Sequence, residues 1–388
     1  MNQYLTHESD LVAHMRQFRR DIHAHPELAF KEFRTADKVA EVLETLNLDA
    51  IHRGQAVTGI VAVLKGRNPD SRHIGLRADM DALPLCELNN FEHVSRHEGK
   101  MHACGHDGHT SMLLTAVCWL SENREAFEGT LYFIFQPAEE GKGGARVMVE
   151  EEDFFGRFPI EATYGMHNWP GLPQGHFGIH HGPVMAAMDT FNLEVKGRGG
   201  HGGIPNLAND PIVASAQLVS GFQTIVARNV SPLEQAVVSV TQIHGGDSDN
   251  IIPDSVKMSG TVRTFSREVR EKVIKRMKQV CSGIEAMFGV EVVLDYTPGF
   301  PPTINHADNA ETCIRAAKRI AGEAAVTVDL PPSMGAEDFA YFILEHPGAY
   351  VWIGNGEQSP SLHNPHYDFN DDNLVTGANY WIELAMHG

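Results

Sequence analysis

The order of apolar runs in this 388-residue chain predicts an α/β protein. A main domain, residues 1–187 and 299–388, is expected to carry a central mixed, largely parallel sheet flanked by helices. A smaller α+β satellite domain, residues 188–298, is expected as an insertion. Three observations predict this. Strand-length apolar runs alternate with helix-period segments on both sides of the insertion. From Met188 the texture changes to alternating strands and amphipathic helices, and that segment is nearly neutral although the whole chain carries −19. The Pro-rich stretch TPGFPPT, 297–303, marks the return to the main domain.

Leu11, Met15, Phe18 and Ile22 recur at helical spacing, and a second amphipathic stretch runs from Thr35 to Leu46. Strand-like runs follow at 59–65 and 73–78, then a helix from about Thr110 to Leu120. The segment 129–136, GTLYFIFQ, is the clearest buried strand, and ATYGM is another. Within the insertion, DTFNLEVKG, AVVSVTQIHGG and SVKMSGTVRTF read as strands. DPIVASAQLVSGFQTIV and 267–288 read as helices, the latter amphipathic and basic. Residues 310–321 form a further helix, and GAYVWIGNG is expected as a final core strand.

Composition excludes several classes. A surface this acidic repels phosphate backbones and anionic membranes, so neither nucleic acid nor membrane is an expected partner. The longest uncharged apolar stretch, Thr110 to Ser121, falls short of the ~20 residues a spanning helix needs. The N-terminal region lacks the pattern of a signal peptide, giving a cytoplasmic expectation. Cys86, Cys104, Cys118, Cys281 and Cys313 form no CxxC pair, and their odd number argues against a disulfide framework.

In open α/β sheets ligands collect at the carboxyl ends of strands. Asp79 and Asp81 follow one predicted strand, Glu139 and Glu140 another, His167 a third, and a loop with His363 and His366 a fourth. The loop MHACGHDGH adds Cys104 and His106 just before a helix. Thiolate, imidazole and carboxylate donors suit zinc, manganese and related divalent ions. Each residue alone is unremarkable, since a bare Glu-Glu pair reads as a solvated turn and a lone buried Cys as a small hydrophobe. Their convergence on one rim points to a metal site. Adjacent side chains in extended chain point to opposite sides. One of the two glutamates can therefore bind metal while the other serves as a base beside a water whose pKa the metal lowers to about 7. One of the two aspartates can orient a ligand histidine from behind.

Three other motifs fail. His97-Glu98 with His102 resembles HExxH, but two histidines five apart diverge by ~140° on a helix. Gly197 to Gly202 fits GxGxxG but lacks the downstream acid, and Pro205 interrupts the required helix. The basic helix 267–288 has apolar residues at helical spacing and reads as a solvated outer face rather than an anion site.

The motifs RRDIHAHPELAFKE, GLRADMDALP, HACGHDGHT, FQPAEEGKGGA, GRGGHGG, DNIIPDSV, GTVRTF, SMGAEDFAYF and LHNPHYDF occur in that order. Together they closely resemble the amidohydrolase branch of the aminoacylase and carboxypeptidase-type dinuclear metallopeptidase superfamily. That branch includes hippurate hydrolase, indole-acetyl amino acid hydrolase and N-acetyldiaminopimelate deacetylase. The likeness spans about residues 15 to 385.

The resemblance implies two divalent ions, zinc or manganese with nickel or cobalt possible, held by Cys104, His106, Glu140, His167 and His363. It implies Glu139 as general acid/base and Asp79 as the aspartate supporting a ligand from behind. His201 matches a histidine that reaches a neighbouring subunit's active site to polarise the scissile carbonyl. Asn250 and Arg263 match substrate contacts, Arg263 as partner of a free carboxylate. Many relatives carry Pro-His where this chain has Pro205-Asn206, and His366 competes with His363, which the family pattern favours. His109 is expected to be a hydrogen-bonding residue at the helix start. The implied activity is metal-dependent hydrolysis of N-acyl amino acids by a homodimer, with a tetramer possible. A dipeptidase, a deacetylase of a biosynthetic intermediate and a non-hydrolytic binder of acyl amino acids are the alternatives.

Overall fold

A computed structural model describes residues 4–388. The chain forms two compact units. One comprises residues up to Val184 with Ile304–Pro332 and Asp338–Gly388, and the other Met185–Thr303 with Ser333–Glu337. The strands are β1 (Ala50–Gln55), β2 (Gly59–Lys65), β3 (His73–Asp79), β4 (Thr130–Gln136), β5 (Ala162–Pro170), β6 (Phe177–Ile179), β7 (Gly182–Met185), β8 (Ala187–Lys196), β9 (Gly200–His201), β10 (Ala236–His244), β11 (Ile251–Ile252), β12 (Ser255–Thr264), β13 (Glu291–Thr297), β14 (Thr303–Asn305), β15 (Val326–Val328) and β16 (Gly348–Gly356).

The first unit is built on an eight-stranded sheet in the order β1-β2-β4-β3-β5-β16-β6-β15. β3 runs parallel to both β4 and β5, β5 parallel to β16 and β6 parallel to β15, while β1 with β2, β2 with β4 and β16 with β6 pair antiparallel. The sheet is therefore mixed with a parallel centre. β2 and β4 are apolar almost throughout because both their faces are covered. One face packs under the helices Asp10–Ala24, His106–Glu122, Ala307–Ala321 and Asn373–His387, burying Leu76, Phe133, Met166, Val351 and Trp381 in one core. Among the described residues no helix is long and apolar enough to cross a membrane.

Two boundaries differ from the sequence expectation in ways that matter for the site. The helix expected from Thr110 begins at His106, because left-handed Gly105 at φ +88° ends the preceding loop there. A Cβ at Gly105 would lie 2.3 Å from Asn168 Nδ2 and 2.5 Å from Tyr367 Oη, so only glycine fits. His167 lies inside β5 rather than after it, since the strand runs on to Pro170. The C-terminal helix Asn373–His387 was not expected at all. It is buried on nearly every side, so it lacks the one-sided pattern by which a helix is recognised.

The second unit has a four-stranded antiparallel sheet, β10-β12-β8-β13, with the helices Pro211–Asn229 and Arg267–Phe288 on one face. Asp210 caps the first of these, its side chain accepting from the amides of Ile212 and Val213. The alternation of β8 buries Phe191, Leu193 and Val195 against Leu218, Phe222, Val273 and Met277.

Candidate metal centre and active site

The carboxyl ends of the central strands bring together residues far apart in sequence. Cys104, His106 and His167 turn ligand atoms toward one another within 4.8 Å, as do Cys104, Glu140 and His363. Cys104 Sγ lies 3.4 Å from His167 Nε2, and His363 Nε2 lies 3.4 Å from Glu140 Oε1. The His363 loop is tied to the Cys104 loop by the His363 amide, which donates to the Ala103 carbonyl at 2.8 Å. His366 is exposed and joins neither group.

The tautomers of two rings are fixed in the form a metal ligand needs. His167 Nδ1 donates to the Asn168 carbonyl at 2.6 Å, leaving Nε2 toward Cys104. His106 Nδ1 faces Asp81 Oδ1 at 3.3 Å, and its buried Nε2 has no hydrogen-bond partner. The local potential is negative. Burial and the Glu140 and Glu139 charges push the Cys104 thiol up. Burial works against a charge on His106, but Asp79 and Asp81 outweigh it and push the ring up to about 10. Soft and borderline donors with orphaned lone pairs in a negative, buried site fit a divalent cation.

Asp79 is wholly buried and lies nearest His109, whose Nδ1 is 2.6 Å from its Oδ1, while His106 Nδ1 is 3.9 Å away. His109 Nε2 accepts the Asn168 amide at 2.9 Å, so Asp79 fixes the backbone beside His167 through His109. Asp81 makes the closer approach to His106 and also accepts the amides of Glu139 and Glu140, both at 3.0 Å. The sequence indicates that one of these aspartates orients a candidate ligand; in the structure Asp81 contacts His106, and Asp79 contacts His109. Arg77 was not singled out. Its buried guanidinium donates to Asp79 Oδ2 at 2.6 Å, Gln136 Oε1 at 2.7 Å and Asp338 Oδ1 at 3.2 Å. A basic residue in an apolar strand signals such a pair, but its partners come from three separate segments.

Behind the rim, Arg19 and His23 form a buried ionic cluster that sequence reading assigned to an ordinary helix. Arg19 Nη1 donates to Asp107 Oδ2 at 3.1 Å and Asp368 Oδ1 at 2.7 Å. His23 lies between Asp107 Oδ2 at 2.8 Å and Glu87 Oε1 at 3.2 Å.

In the second unit, His201 and Asn250 share one exposed corner, with β9 paired to β11 and the Gly202 amide donating to the Asn250 carbonyl at 2.8 Å. His201 Nδ1 accepts the Gly203 amide at 3.0 Å, which leaves Nε2 as the ring's donor. Arg263 stands on β12 opposite Met188, half-buried.

Residues 75–387 match the model of peptidase family M20/M25/M40. The chain is 41% identical to an N-acetylcysteine deacetylase of Bacillus subtilis, over 97% of this chain and 98% of that one. It is 39% identical to a hippurate hydrolase of Campylobacter jejuni, covering 97% of each. A crystal structure of a dinuclear metal-binding M20 peptidase from Bacillus subtilis superposes with a TM-score of 0.85 at 37% identity, over 97% of this chain and 98% of that one. With a family model spanning its core and relatives spanning its length, this chain belongs to peptidase family M20/M25/M40.

Proposed function

We propose that the protein is a metal-dependent amidohydrolase that cleaves N-acyl amino acids to a carboxylic acid and a free amino acid. The observation that supports this reading is that buried Glu139 lies with His106 and Glu140, the two residues that join it to the donor groups of Cys104, His167 and His363. The names of the relatives, a deacetylase of N-acetylcysteine and a hydrolase of hippurate, support the reaction class.

Cys104, His106, Glu140, His167 and His363 would hold two divalent ions, zinc or manganese. Such ions supply Lewis acidity and lower the pKa of water to about 7. The Glu139 carboxylate takes a proton from the attacking water and returns it to the departing amine nitrogen. Asp81 orients the His106 imidazole, and Asp79 acts through His109 on the backbone beside His167. Arg263 pairs with the free carboxylate of the amino acid, Asn250 contacts the substrate, and the His201 Nε2–H donates to the scissile carbonyl of the substrate in a neighbouring subunit's active site. On this reading residues 188–298 form the dimerisation domain of a cytoplasmic homodimer. The five free thiols suit a reducing compartment.

The test is amino-acid release from N-acetyl, N-benzoyl and N-indole-acetyl amino acids, with dipeptides alongside, by protein stripped of metal and resupplied with zinc or manganese. Metal-dependent release is expected. Glu139→Gln should retain its ions and lose about three orders of magnitude in turnover. Full turnover in that variant would remove Glu139 from the mechanism.

A further inference from the structure

The turn after β4 must aim two adjacent glutamates at different tasks, and its backbone is unusual. Ala138 is left-handed at φ +58°, a conformation costing about 1–2 kcal/mol for a residue with a Cβ. Surrounding structure must hold such a residue in place. Three successive amides of the turn are gripped by buried carboxylates. Those of Glu139 and Glu140 go to Asp81, and that of Ala138 donates to Glu32 Oε1 at 3.0 Å. Asp81 belongs to the site described above, but Glu32 comes from outside it.

Glu32 is fully buried and stands immediately before the helix Phe33–Leu43. Its Oε1 also accepts the Phe30 amide at 2.9 Å, and its Oε2 accepts Thr58 Oγ1 at 2.6 Å. Phe30 is itself left-handed at φ +60°, and Thr58 follows Ala56 and Val57 at φ +43° and +79°. One carboxylate thus ties together three turns, each containing a non-glycine residue in a strained conformation. We propose that Glu32 is a positioning residue for Glu139, its side chain holding the Ala138 turn from which the proton-transferring carboxylate projects. This rests on the reading of Glu139 given above.

The role is one of geometry rather than charge. Oε1 alone receives both amides, so a neutral carbonyl there keeps them paired, while an amide nitrogen in place of Oε2 keeps the link to Thr58 Oγ1 with the direction of that bond reversed. Burial, with the Asp81 charge adding to it, pushes the Glu32 carboxyl up to about 7, which makes the neutral form accessible. Glutamine should therefore replace Glu32, whereas alanine and the shorter aspartate should not.

The experiment compares metal-loaded wild type with Glu32→Ala, Glu32→Asp, Glu32→Gln and Glu139→Gln, reading kcat, KM, metal content and thermal unfolding. Expected is a fall in kcat of about a hundredfold in Glu32→Ala and Glu32→Asp, with KM and metal content near wild type. Glu32→Gln should stay within about threefold of wild type. Unimpaired kcat in Glu32→Ala overturns the proposal, as does turnover lost only in step with metal or folded protein. If Glu32→Ala fails to fold, the other pair decides, since a fast Glu32→Asp beside a slow Glu32→Gln reverses the expected order and overturns it. An inactive Glu139→Gln beside an unimpaired Glu32→Ala removes the proposal alone. A fully active Glu139→Gln instead removes the role of Glu139 itself.

Discussion

Two buried polar clusters meet at the first peptide of the helix His106–Glu122, and they resolve the same electrostatic problem in opposite ways. On the Asp107 side the chain answers its own carboxylates. Burial works against the charge on His23, but Asp107 outweighs it and raises the ring to about 9, while His23 and Arg19 hold Asp107 well below the usual carboxylate range. On the His106 side the ligand atoms of Cys104, His106 and His167 face one another, and the thiol is driven upward. Neighbouring residues of one helix thus belong to a closed ion-pair network and to a set of donors shaped for a cation. Burial alone does not distinguish a structural charge from a functional one. What distinguishes them is whether the matching charge is part of the chain.

The largest expected effect breaks the first cluster. Arg19→Leu removes the buried cation shared by Asp107 and Asp368, leaving them only the imidazoles of His23 and His93, and should cost about 3–5 kcal/mol in denaturant unfolding, with no recovery on adding metal. Recovery on adding zinc would merge the two clusters into one.

Next comes pH. His23 has a folded pKa of about 9 against an ordinary 6.5, so its stabilisation is complete below pH 6.5 and is lost as pH rises through 9. Wild type should lose up to about 3 kcal/mol over that window, and Glu87 and Asp107 should hold no such slope in His23→Gln. Equal slopes in the two proteins would assign the effect elsewhere.

Cys104→Ala addresses the second cluster. Without metal its stability should match wild type more closely than Arg19→Leu does. It should lose most of the roughly 2.7 kcal/mol that metal at a hundred times its dissociation constant gives wild type. Asp81→Asn, which disturbs the support of His106 but leaves the ligand, should weaken metal binding by about tenfold, or 1.4 kcal/mol, in a competition titration. An unchanged affinity would leave Asp81 with only its contacts to the Glu139 and Glu140 amides.

The central strands were legible because continuous apolar runs need cover on both faces, and β2 and β4 have it. The candidate ligands were legible because unusual side chains follow those strands. β1 and β15 were not, since both are short, half-exposed edges with little pattern. Arg19 and His23 are illegible for a different reason. Four apart on a helix, they look like a solvated stripe until Asp107 and the 368–371 loop fold over them. The exposure of Asn250 could not be read either, because alternation within a strand says nothing about a turn before a two-residue strand.

The strand order of the large sheet has a consequence for synthesis. β16 lies between β5 and β6 although it is translated about 180 residues after β5 ends. At 5–20 residues per second, a nascent chain holds the inner edge of β5 unpaired for roughly 10–35 seconds, while residues 188–298 emerge and fold. His363 arrives later still, so the proposed set of five donors is not assembled on the ribosome before the chain is almost complete. The open edge of β5 is for that interval an unpaired apolar strand edge, able to pair with another chain.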